Sequence, residues 1–189
     1  MKGFAALVFF TLGFATVQAG ELRVCDGIWG DWKPVVSGPK KMYACGAQLQ
    51  IEAPCSDDTA GNGLNLIFCG ANDWRQQQTL TVHQGFWGYW RNVAMCPEGS
   101  YIIAGRVRFE RGQGGGDDTA LNGLQIRCKN PNNNQVAEVL VDNGYWGDWL
   151  NWVSGEKNGK NDEYVVGGQV RYEGACGGGD DTAMNGIVF

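Results

Sequence analysis

Apolar and polar side chains alternate along several short segments of the chain, and no window shows a sustained helical period. Residues 79–82 alternate in this way, as do residues 106–110, where Val107 and Phe109 share one face and the charged side chains share the other. We therefore expect an all-β fold whose strands present one face to a core and the other to water.

The N-terminal residues carry a different pattern. Lys2 is followed by an apolar run over residues 4–14, and Val17 and Ala19 stand third and first before the polar start at Gly20. This layout is typical of a secretory signal peptide, and the run is short for a membrane span. We predict a signal peptide over residues 1–19 and a secreted, extracellular mature chain over residues 20–189, with no segment that crosses a membrane.

The mature chain repeats one set of motifs three times in the same order, which indicates an internally repeated fold. A Gly-x-Trp-Gly-x-Trp motif supplies Trp29 and Trp32, Trp87 and Trp90, and Trp146 and Trp149. A strand motif ending in Glu occupies residues 49–52, 107–110 and 170–173, Asp-Asp-Thr-Ala occupies 57–60, 117–120 and 180–183, and Asn-Gly occupies 62–63, 122–123 and 185–186. The repeats cover about residues 20–74, 75–134 and 135–189.

Each repeat has room for about four strands of ordinary length. Asn-Gly favours a hairpin turn, because both central positions of a type I′ turn need a positive φ, so we expect a turn at each of the three pairs. A four-stranded sheet does not bury both faces alone, whereas three sheets around a shared axis bury one face of each. The sequence thus predicts one domain built from three sheets.

Taken together, these motifs resemble the vitelline membrane outer layer protein I family over essentially the whole mature chain. The resemblance implies a β-prism of three Greek-key, four-stranded sheets with internal pseudo-threefold symmetry. It also implies an extracellular protein, typified by a component of the coat around the egg yolk. A carbohydrate-related activity has been suggested for the family, with no settled catalytic residues to transfer to this chain.

Seven cysteines in a secreted chain predict disulfides and leave one cysteine over. The family resemblance favours a bridge between Cys96 and Cys128. Cys55 and Cys176 both lie three residues after their repeat Glu, so a bridge between the first and third repeats is an option. Further candidates are Cys45 and Cys69, and the sequence does not settle the connectivity.

The third repeat stops early by comparison with the second. Cys128 lies eleven residues after Asp117, and the same count from Asp180 reaches position 191, beyond Phe189. We therefore expect a truncated last strand with a cysteine just past it. A free or intermolecular thiol is the alternative.

Six of the eight tryptophans belong to the repeated motif. Exposed indoles would stack on sugars, whereas packed indoles would supply buried area and need a partner for the N–H group. Repetition favours packing, because three equivalent sheet junctions need three copies of a motif and a site for one ligand does not. Trp74 and Trp152 lie outside the motif, and we expect a more exposed role for them.

The repeated carboxylates suggest a glycosidase, because such chemistry commonly needs a pair of acidic side chains. The candidates are Glu52, Glu110 and Glu173, with Asp57, Asp117 and Asp180. Strand alternation places each Glu on a solvated face, and an Asp before Asp-Thr is an ordinary turn residue, so we assign none of them a catalytic role. Calcium needs a fuller series of oxygen ligands than any loop offers, and we predict no metal site.

His83 is the only histidine, and its counterparts in the other repeats are Cys25 and Asp142. A zinc site or a catalytic triad needs more partners than one histidine supplies, so we expect a surface strand residue. No phosphate-binding, zinc-peptidase or serine-hydrolase motif occurs in the sequence, and we predict no cofactor. The net charge of −5 without a basic cluster offers no footprint for nucleic acid or an anionic membrane.

These features favour a secreted structural or barrier protein of an egg coat or a secreted fluid, with extracellular glycans or other coat proteins as partners. A glycan-binding, lectin-like module is the second hypothesis, and it rests on likeness of architecture. The third hypothesis is an enzyme that hydrolyses or transfers N-acetylglucosamine oligosaccharides, which the poverty of reactive side chains disfavours.

Overall fold

The computed structural model describes residues 20–55, 59–111, 120–155, 163–174 and 183–189. Within those ranges the chain forms fifteen β-strands and no helix, and nothing there is a helix long and apolar enough to cross a membrane. The strands are β1 (Arg23–Asp26), β2 (Asp31–Trp32), β3 (Val36–Ser37), β4 (Met42–Ile51), β5 (Gly61–Gly70), β6 (Gln77–His83), β7 (Tyr89–Trp90), β8 (Ala94–Met95), β9 (Tyr101–Phe109), β10 (Leu121–Lys129), β11 (Val136–Asp142), β12 (Asp148–Trp149), β13 (Val153–Ser154), β14 (Gly167–Tyr172) and β15 (Met184–Val188).

The strands form three antiparallel sheets that share one topology. The strand order is β6-β5-β4-β7 in the first sheet, β11-β10-β9-β12 in the second and β1-β15-β14-β2 in the third. In the first sheet β4, β5 and β6 form a meander and β7 returns to the far side of β4, which is a Greek key. A further short strand, β8, β13 or β3, pairs with the same strand as the returning one. The predicted all-β, three-sheet prism is confirmed, with five strands in each sheet where we expected four.

The third sheet closes the fold, because it combines strands from the first and third repeats. Arg171 of β14 lies opposite Trp32 of β2, and Gly186 of β15 lies opposite Asp26 of β1. The first sheet likewise takes β4 and β5 from one repeat and β6, β7 and β8 from the next. The sheets are therefore offset by about half a repeat from the sequence motifs, and each repeat ties two sheets together.

An aliphatic core fills the space between the three sheets. Its large, fully buried side chains include Leu49, Ile51, Leu64, Leu66, Ile102, Leu121, Leu124, Ile126, Met184 and Ile187. Residues 61, 121 and 184 each directly precede an Asn-Gly pair, and a Cβ on Gly61 would meet the backbone of Leu121 and the side chain of Met184. Equivalent positions of the three sheets thus meet at one end of the pseudo-threefold axis.

Three equivalent tyrosines, one from each repeat, pack their rings against one another. Tyr43 and Tyr101 have ring centroids 5.3 Å apart, and Tyr164 lies 5.5 Å from Tyr43 and 5.6 Å from Tyr101. Each is six residues before the apolar residue that opens its strand motif. The hydroxyl of Tyr101 donates to the carbonyl of Gly70 at 2.9 Å, and burial, followed by the nearby Tyr43, raises the pKa of Tyr101.

Two disulfides cross-link the described residues. Cys45–Cys69 joins β4 to β5 within the first sheet. Cys96–Cys128 joins the segment after β8 to β10, so it bridges the first and second sheets. This second bridge is the one that the family resemblance favours.

The remaining cysteines have different surroundings. Cys25 is a buried free thiol, and burial raises its pKa to about 12. Cys55 is an exposed free cysteine. Cys176, with which a bridge is an option on the sequence, lies outside the described residues, as does the predicted signal peptide over residues 1–19.

The third sheet is shorter at one end than the first. Pairing between β4 and β5 extends to Met42 and Gly70, whereas pairing between β14 and β15 ends at Gln169 and Val188. An apolar groove of about 470 Å³ lies beside this shorter end, and Val188 and Phe189 contribute to its lining. The expected cysteine beyond Phe189 stays a prediction.

The three Asn-Gly pairs lie inside strands, so the predicted hairpin turns at these positions are wrong. Asn62 lies in β5, Asn122 in β10 and Asn185 in β15, and each is at most 1% exposed. A positive φ occurs instead two residues before each asparagine, at Ala60, Ala120 and Ala183, with values of 46° to 47°. Asparagine occupies these strand positions because its buried amide has hydrogen-bond partners inside the fold.

Candidate functional site

Three equivalent loops carry the repeated tryptophan motif, and we call residues 27–30, 85–88 and 144–147 the Trp loops. Each Trp loop connects the last strand of a meander to the strand that returns on the far edge, as residues 85–88 connect β6 to β7. The loop therefore has to cross the ends of the two strands between them. In the first sheet those two strands are β5 and β4.

Two glycines in each Trp loop allow its backbone to touch the strands that it crosses. A Cβ on Gly85 would lie 2.7 Å from the carbonyl oxygen of Asn62 in β5. A Cβ on Gly88 would collide with the backbone of Ile51 and Glu52, where β4 ends, and Gly88 has a φ of +77°. The same collision and a similar φ recur at Gly30 (+74°) and Gly147 (+76°). The Gly-x-Trp-Gly spacing is thus a packing requirement of the crossing.

In each of two Trp loops, a backbone N–H donates a hydrogen bond to the side chain of a buried asparagine. Asn62 Oδ1 accepts from the backbone N–H of Trp87 at 3.4 Å, and Asn122 Oδ1 accepts from the backbone N–H of Trp146 at 3.0 Å. The side-chain nitrogen of Asn62 also donates to the hydroxyl of Thr59. The asparagine therefore links the turn before its own strand to the loop that crosses that strand.

A polar side chain on the first strand of each meander holds the Trp loop from another side. The bonds run from Gln50 Nε2 to Trp87 O at 2.8 Å, from Arg108 Nε to Gly147 O at 2.8 Å and from Arg171 Nε to Gly30 O at 2.9 Å. These donors are the second residues of the strand motif, which alternation had placed on a solvated face. Their acceptors are main-chain carbonyls, so the loop backbone is fixed without help from its side chains.

The tryptophans of the Trp loops do not fill the interior. All eight tryptophans of the chain are described, and none is buried. Trp29 is 52% exposed and Trp146 is 45% exposed, so the prediction that the repeated tryptophans pack is wrong for these two. The physical reason is that aliphatic side chains already fill the space between the sheets, and the Trp loops lie outside it. The remaining motif tryptophans, Trp32, Trp87, Trp90 and Trp149, are partly buried.

Stacked guanidinium and indole groups lie on the second sheet. Arg106 lies over Trp149 and Trp152, at 5.2 Å and 4.8 Å from the ring centroids, and Arg127 lies over Trp152 at 4.3 Å. Arg127 also pairs with Glu138 at 2.6 Å. Such stacking typically contributes about 0.5–1 kcal/mol at exposed sites.

The two tryptophans outside the motif are less exposed than we expected. Trp152 is partly buried beneath the two arginines of this stack. Trp74 is partly buried against the cluster that contains the Cys45–Cys69 bridge, and its indole N–H donates to the carbonyl of Ser100 at 3.2 Å. Both indoles therefore have structural contacts.

The three glutamate candidates stand at the ends of their strand motifs. Glu52 Oε2 accepts from the backbone N–H of Thr59 at 3.1 Å and from its hydroxyl at 2.7 Å. The backbone N–H groups of Glu52, Glu110 and Glu173 donate at 2.8 Å to the carbonyls of Ala60, Ala120 and Ala183. Asp57, Asp117 and Asp180 lie outside the described residues. The Glu52 carboxylate thus binds Thr59, and within the described part of the chain a catalytic pair has no geometric support.

One open cleft beside the second sheet contains the side-chain types that sugar sites use. It has a volume of about 510 Å³, and its lining includes Glu110, Arg111, Asp148 and Trp149. An aromatic face, carboxylates and a guanidinium offer both stacking and hydrogen bonds to hydroxyl groups. The third sheet carries Glu173, Asp31 and Trp32 at the equivalent positions, and the first sheet carries Glu52, Tyr89 and Trp90.

His83 lies at the end of β6, partly buried where the first and third sheets meet. Its ring centroid is 4.2 Å from that of Tyr172, and its buried Nε2 has no hydrogen-bond partner among the described residues. Burial, and to a smaller extent the charge of Lys33, lower the pKa of His83. It is therefore a strand residue, as expected, but it lies at a junction between sheets rather than at the surface. Within the described ranges, no group of three His, Cys, Asp or Glu side chains is arranged to hold a metal ion.

The residues that build the Trp loops are the ones that sequence analysis missed. They are Asn62 and Asn122 of the Asn-Gly pairs and the second residues of the strand motif, Gln50, Arg108 and Arg171. A signal for them was present, because each position recurs at a fixed place in every repeat. The alternation of apolar and polar residues predicts that such positions face solvent, and it does not indicate which loop crosses them.

Comparison with known proteins gives one family. A family model described as Vitelline membrane outer layer protein I (VOMI) matches residues 23–189. A human protein described as vitelline membrane outer layer protein 1 homolog is 33% identical over 163 residues, covering 84% of this chain and 75% of the relative. A mouse protein of the same description is 30% identical over 164 residues, covering 85% of this chain and 77% of the relative.

Among solved structures, the mosquito-larvicidal Cry4Aa toxin from Bacillus thuringiensis is similar to this chain with a TM-score of 0.43 and 9% sequence identity. The similarity covers 80% of this chain and 27% of the toxin chain. A likeness at that level carries no argument about function.

Proposed function

The chain belongs to the vitelline membrane outer layer protein I family, and we propose that it is a secreted structural protein of an extracellular coat, such as that of an egg, or of a secreted fluid. The observation that carries this proposal is the closure of the fold. Strands from the first repeat complete the third sheet, and a disulfide bridges the first sheet to the second. A closed, cross-linked body of this kind suits a passive role outside the cell, where disulfides persist.

The proposal also draws on how the polar residues are used. Gln50, Arg108 and Arg171 hold the Trp loops, and the Glu52 carboxylate holds a turn. The polar residues that recur in the three repeats therefore have a structural role, which is to hold the loops and turns of the fold. Hydrolysis of N-acetylglucosamine oligosaccharides draws no comparable support, because the Glu52 carboxylate is engaged by the backbone N–H and the hydroxyl of Thr59.

The test expresses the full chain, including residues 1–19, in cultured animal cells and measures its secretion. The secreted protein is then tested for binding to isolated egg coats. We expect the protein in the medium, starting near Gly20, and we expect it to be retained when isolated egg coats are washed in salt. Retention in the cell would overturn secretion. Secretion without retention on coats, in binding assays at several protein concentrations, would overturn the coat role.

Glycan association is a second candidate function, favoured by the exposure of Trp29 and Trp146 and by the cleft that contains Glu110 and Trp149. Planar indoles stack on the apolar faces of sugars, while nearby carboxylates accept hydrogen bonds from hydroxyl groups. A glycan array with the mature protein tests it. We expect binding that Trp29→Ala and Trp146→Ala together abolish and that Trp74→Ala leaves unchanged. The absence of binding to every glycan rules this function out.

A further inference from the structure

The repeated tryptophan motif is also an acceptor sequence for a covalent modification. In the secretory pathway of animal cells, a membrane-bound mannosyltransferase recognises Trp-x-x-Trp and joins mannose to C2 of the first indole. The chain contains this sequence beginning at Trp29, Trp87 and Trp146 and, by overlap, at Trp149. A motif match of this kind needs support from its structural context.

We propose that Trp29 and Trp146 carry C-linked mannose. The proposal rests on the secretion part of the proposed function, because the transferase acts on chains that enter the secretory pathway. The class of donor is a polyprenyl-phosphate mannose. The product is a hexose bonded through carbon to each of these two indoles.

Exposure separates the four acceptor tryptophans. A hexose on C2 has to fit beside the indole in the folded chain, and Trp29 and Trp146 are 52% and 45% exposed. Trp87 is partly buried and has Phe86 against it at 5.8 Å between ring centroids. Trp149 is partly buried beneath Arg106. The folded structure thus has room for the sugar at the first and third Trp loops.

The way in which the loops are held also suits the modification. The bonds that fix the third Trp loop join Asn122 to the backbone N–H of Trp146 and Arg108 to the carbonyl of Gly147. In the first loop, Arg171 donates to the carbonyl of Gly30. All of these acceptors and donors on the loop are main-chain groups. An addition to the indole ring therefore leaves the anchoring of the loop intact.

The modification would change the character of an exposed apolar surface. Ile28 is 74% exposed next to Trp29, and Tyr145 is exposed next to Trp146. Exposed apolar patches favour association with other surfaces. A mannose covers part of the indole with hydroxyl groups, so we expect the modified protein to be the more soluble form.

The reaction is a substitution without redox change. The bond between the anomeric carbon of mannose and the phosphate oxygen of the donor breaks, and the electron pair leaves with the polyprenyl phosphate. A carbon–carbon bond forms between the anomeric carbon and C2 of the indole. The proton on C2 is lost to base or solvent, which restores the aromatic ring.

The test is mass spectrometry of peptides from residues 20–189, expressed behind an unrelated cleavable signal peptide in animal cells with and without the C-mannosyltransferase. We expect the peptides that contain Trp29 and Trp146 each to gain about 162 Da only in cells that have the enzyme. The added mass should resist the release of N- and O-linked glycans. Fragment ions should place it on the indole.

Matched variants separate recognition from the acceptor itself. Trp32→Phe keeps Trp29 but removes the second tryptophan of its motif, so the mass at residue 29 should disappear while that at Trp146 persists. Trp149→Phe should do the reverse. Trp74→Phe, outside any such motif, should change neither. Peptides from cell extracts give the readout for a variant that folds poorly and is retained in the cell.

Unmodified Trp29 and Trp146 in cells that have the enzyme would overturn the proposal, and so would mass confined to Trp87 or Trp149. Modification of one of the two overturns the assignment of the other. The unrelated signal peptide delivers the chain to the pathway in every case. Failure of the native residues 1–19 to direct secretion therefore bears on the proposed function and leaves this result unaffected.

Discussion

The side chain of Asn122 accepts a hydrogen bond from the backbone N–H of Trp146 at 3.0 Å, and this contact joins a fully buried strand residue to an exposed loop. Asn62 and Trp87 repeat the contact at 3.4 Å in the first sheet. The two most recognisable motifs of the sequence, Asn-Gly and Gly-x-Trp-Gly, are therefore two halves of one interaction. Their fixed order in each repeat follows from the Greek-key crossing that brings them together.

Replacing Asn122 with alanine should destabilise the fold without changing its topology. The change removes the acceptor of the Trp146 backbone N–H, and the loss of such a hydrogen bond typically costs about 0.5–1.5 kcal/mol. Urea unfolding, followed by tryptophan fluorescence, measures the free energy of unfolding. Asn151→Ala, at an exposed position between β12 and β13, is the control and should lie within about 0.5 kcal/mol of wild type. Equal stability of the two variants would contradict the role given to Asn122.

Gly147→Ala should be more destabilising than an ordinary glycine replacement. Gly147 has a φ of +76°, and a Cβ there would collide with the backbone of Phe109 and Glu110, which cannot move aside as a flexible side chain can. We expect a loss of at least about 1 kcal/mol, because the native conformation is incompatible with alanine. Gly174→Ala is the matched control, since nothing lies within 4 Å of its added Cβ. Urea unfolding midpoints of the two variants are compared. A lower midpoint for Gly147→Ala alone supports the packing role of Gly147, and equal midpoints would contradict it.

Much of the fold follows from the repeated pattern. Alternation in residues 106–110 predicts a strand with Val107 facing inward, and Val107 is fully buried in β9. The threefold recurrence, together with the family resemblance, predicts three equivalent sheets. What the pattern did not predict is which strands share a sheet, because pairing such as that of Arg171 with Trp32 depends on contacts far apart in sequence. Local alternation carries no information on such closure.

The site was harder to predict than the fold. Tryptophan is a large apolar residue, so its repetition predicts that Trp29 and Trp146 pack, yet both are exposed. The Asn-Gly pair predicts a turn at Asn122, because short-range rules do not foresee a buried amide inside a strand. In both cases the loop that crosses the strand determines whether the residue is exposed or buried. The position of that loop depends on the folded chain and is not visible in the sequence.

The Cys96–Cys128 bridge should contribute more than a single side-chain contact. It closes a loop with a sequence separation of 32 and links the first sheet to the second, and loop-entropy reasoning gives about 3–4 kcal/mol for a loop of that size. The double change Cys96→Ser and Cys128→Ser should lower the free energy of unfolding by that order. Removing Cys45–Cys69, whose separation is 24, should cost slightly less on the same reasoning. Urea titrations of both double variants, without reductant, make the comparison.

His83 should make the stability of the fold depend on pH below neutrality. Its folded pKa is lowered from the ordinary 6.5, first by burial and then by the charge of Lys33. Because protonation is harder in the folded state, the unfolded chain binds the proton first as the pH falls. The stabilisation is therefore present above pH 6.5 and is lost as the pH falls through the depressed folded pKa.

His83→Gln tests this dependence cleanly, because the chain has no other histidine. Unfolding midpoints in urea, measured from pH 7.5 downward, should fall more steeply for wild type than for the variant between about pH 6.5 and 5. Carboxylates titrate in both proteins, so their contribution cancels in the difference. Lys33→Gln should raise the pKa of His83 in an NMR titration, by less than full exposure of the ring would, since burial is the larger cause. Parallel midpoints for wild type and His83→Gln would show that the buried Nε2 finds a partner on protonation and that the junction tolerates the charge.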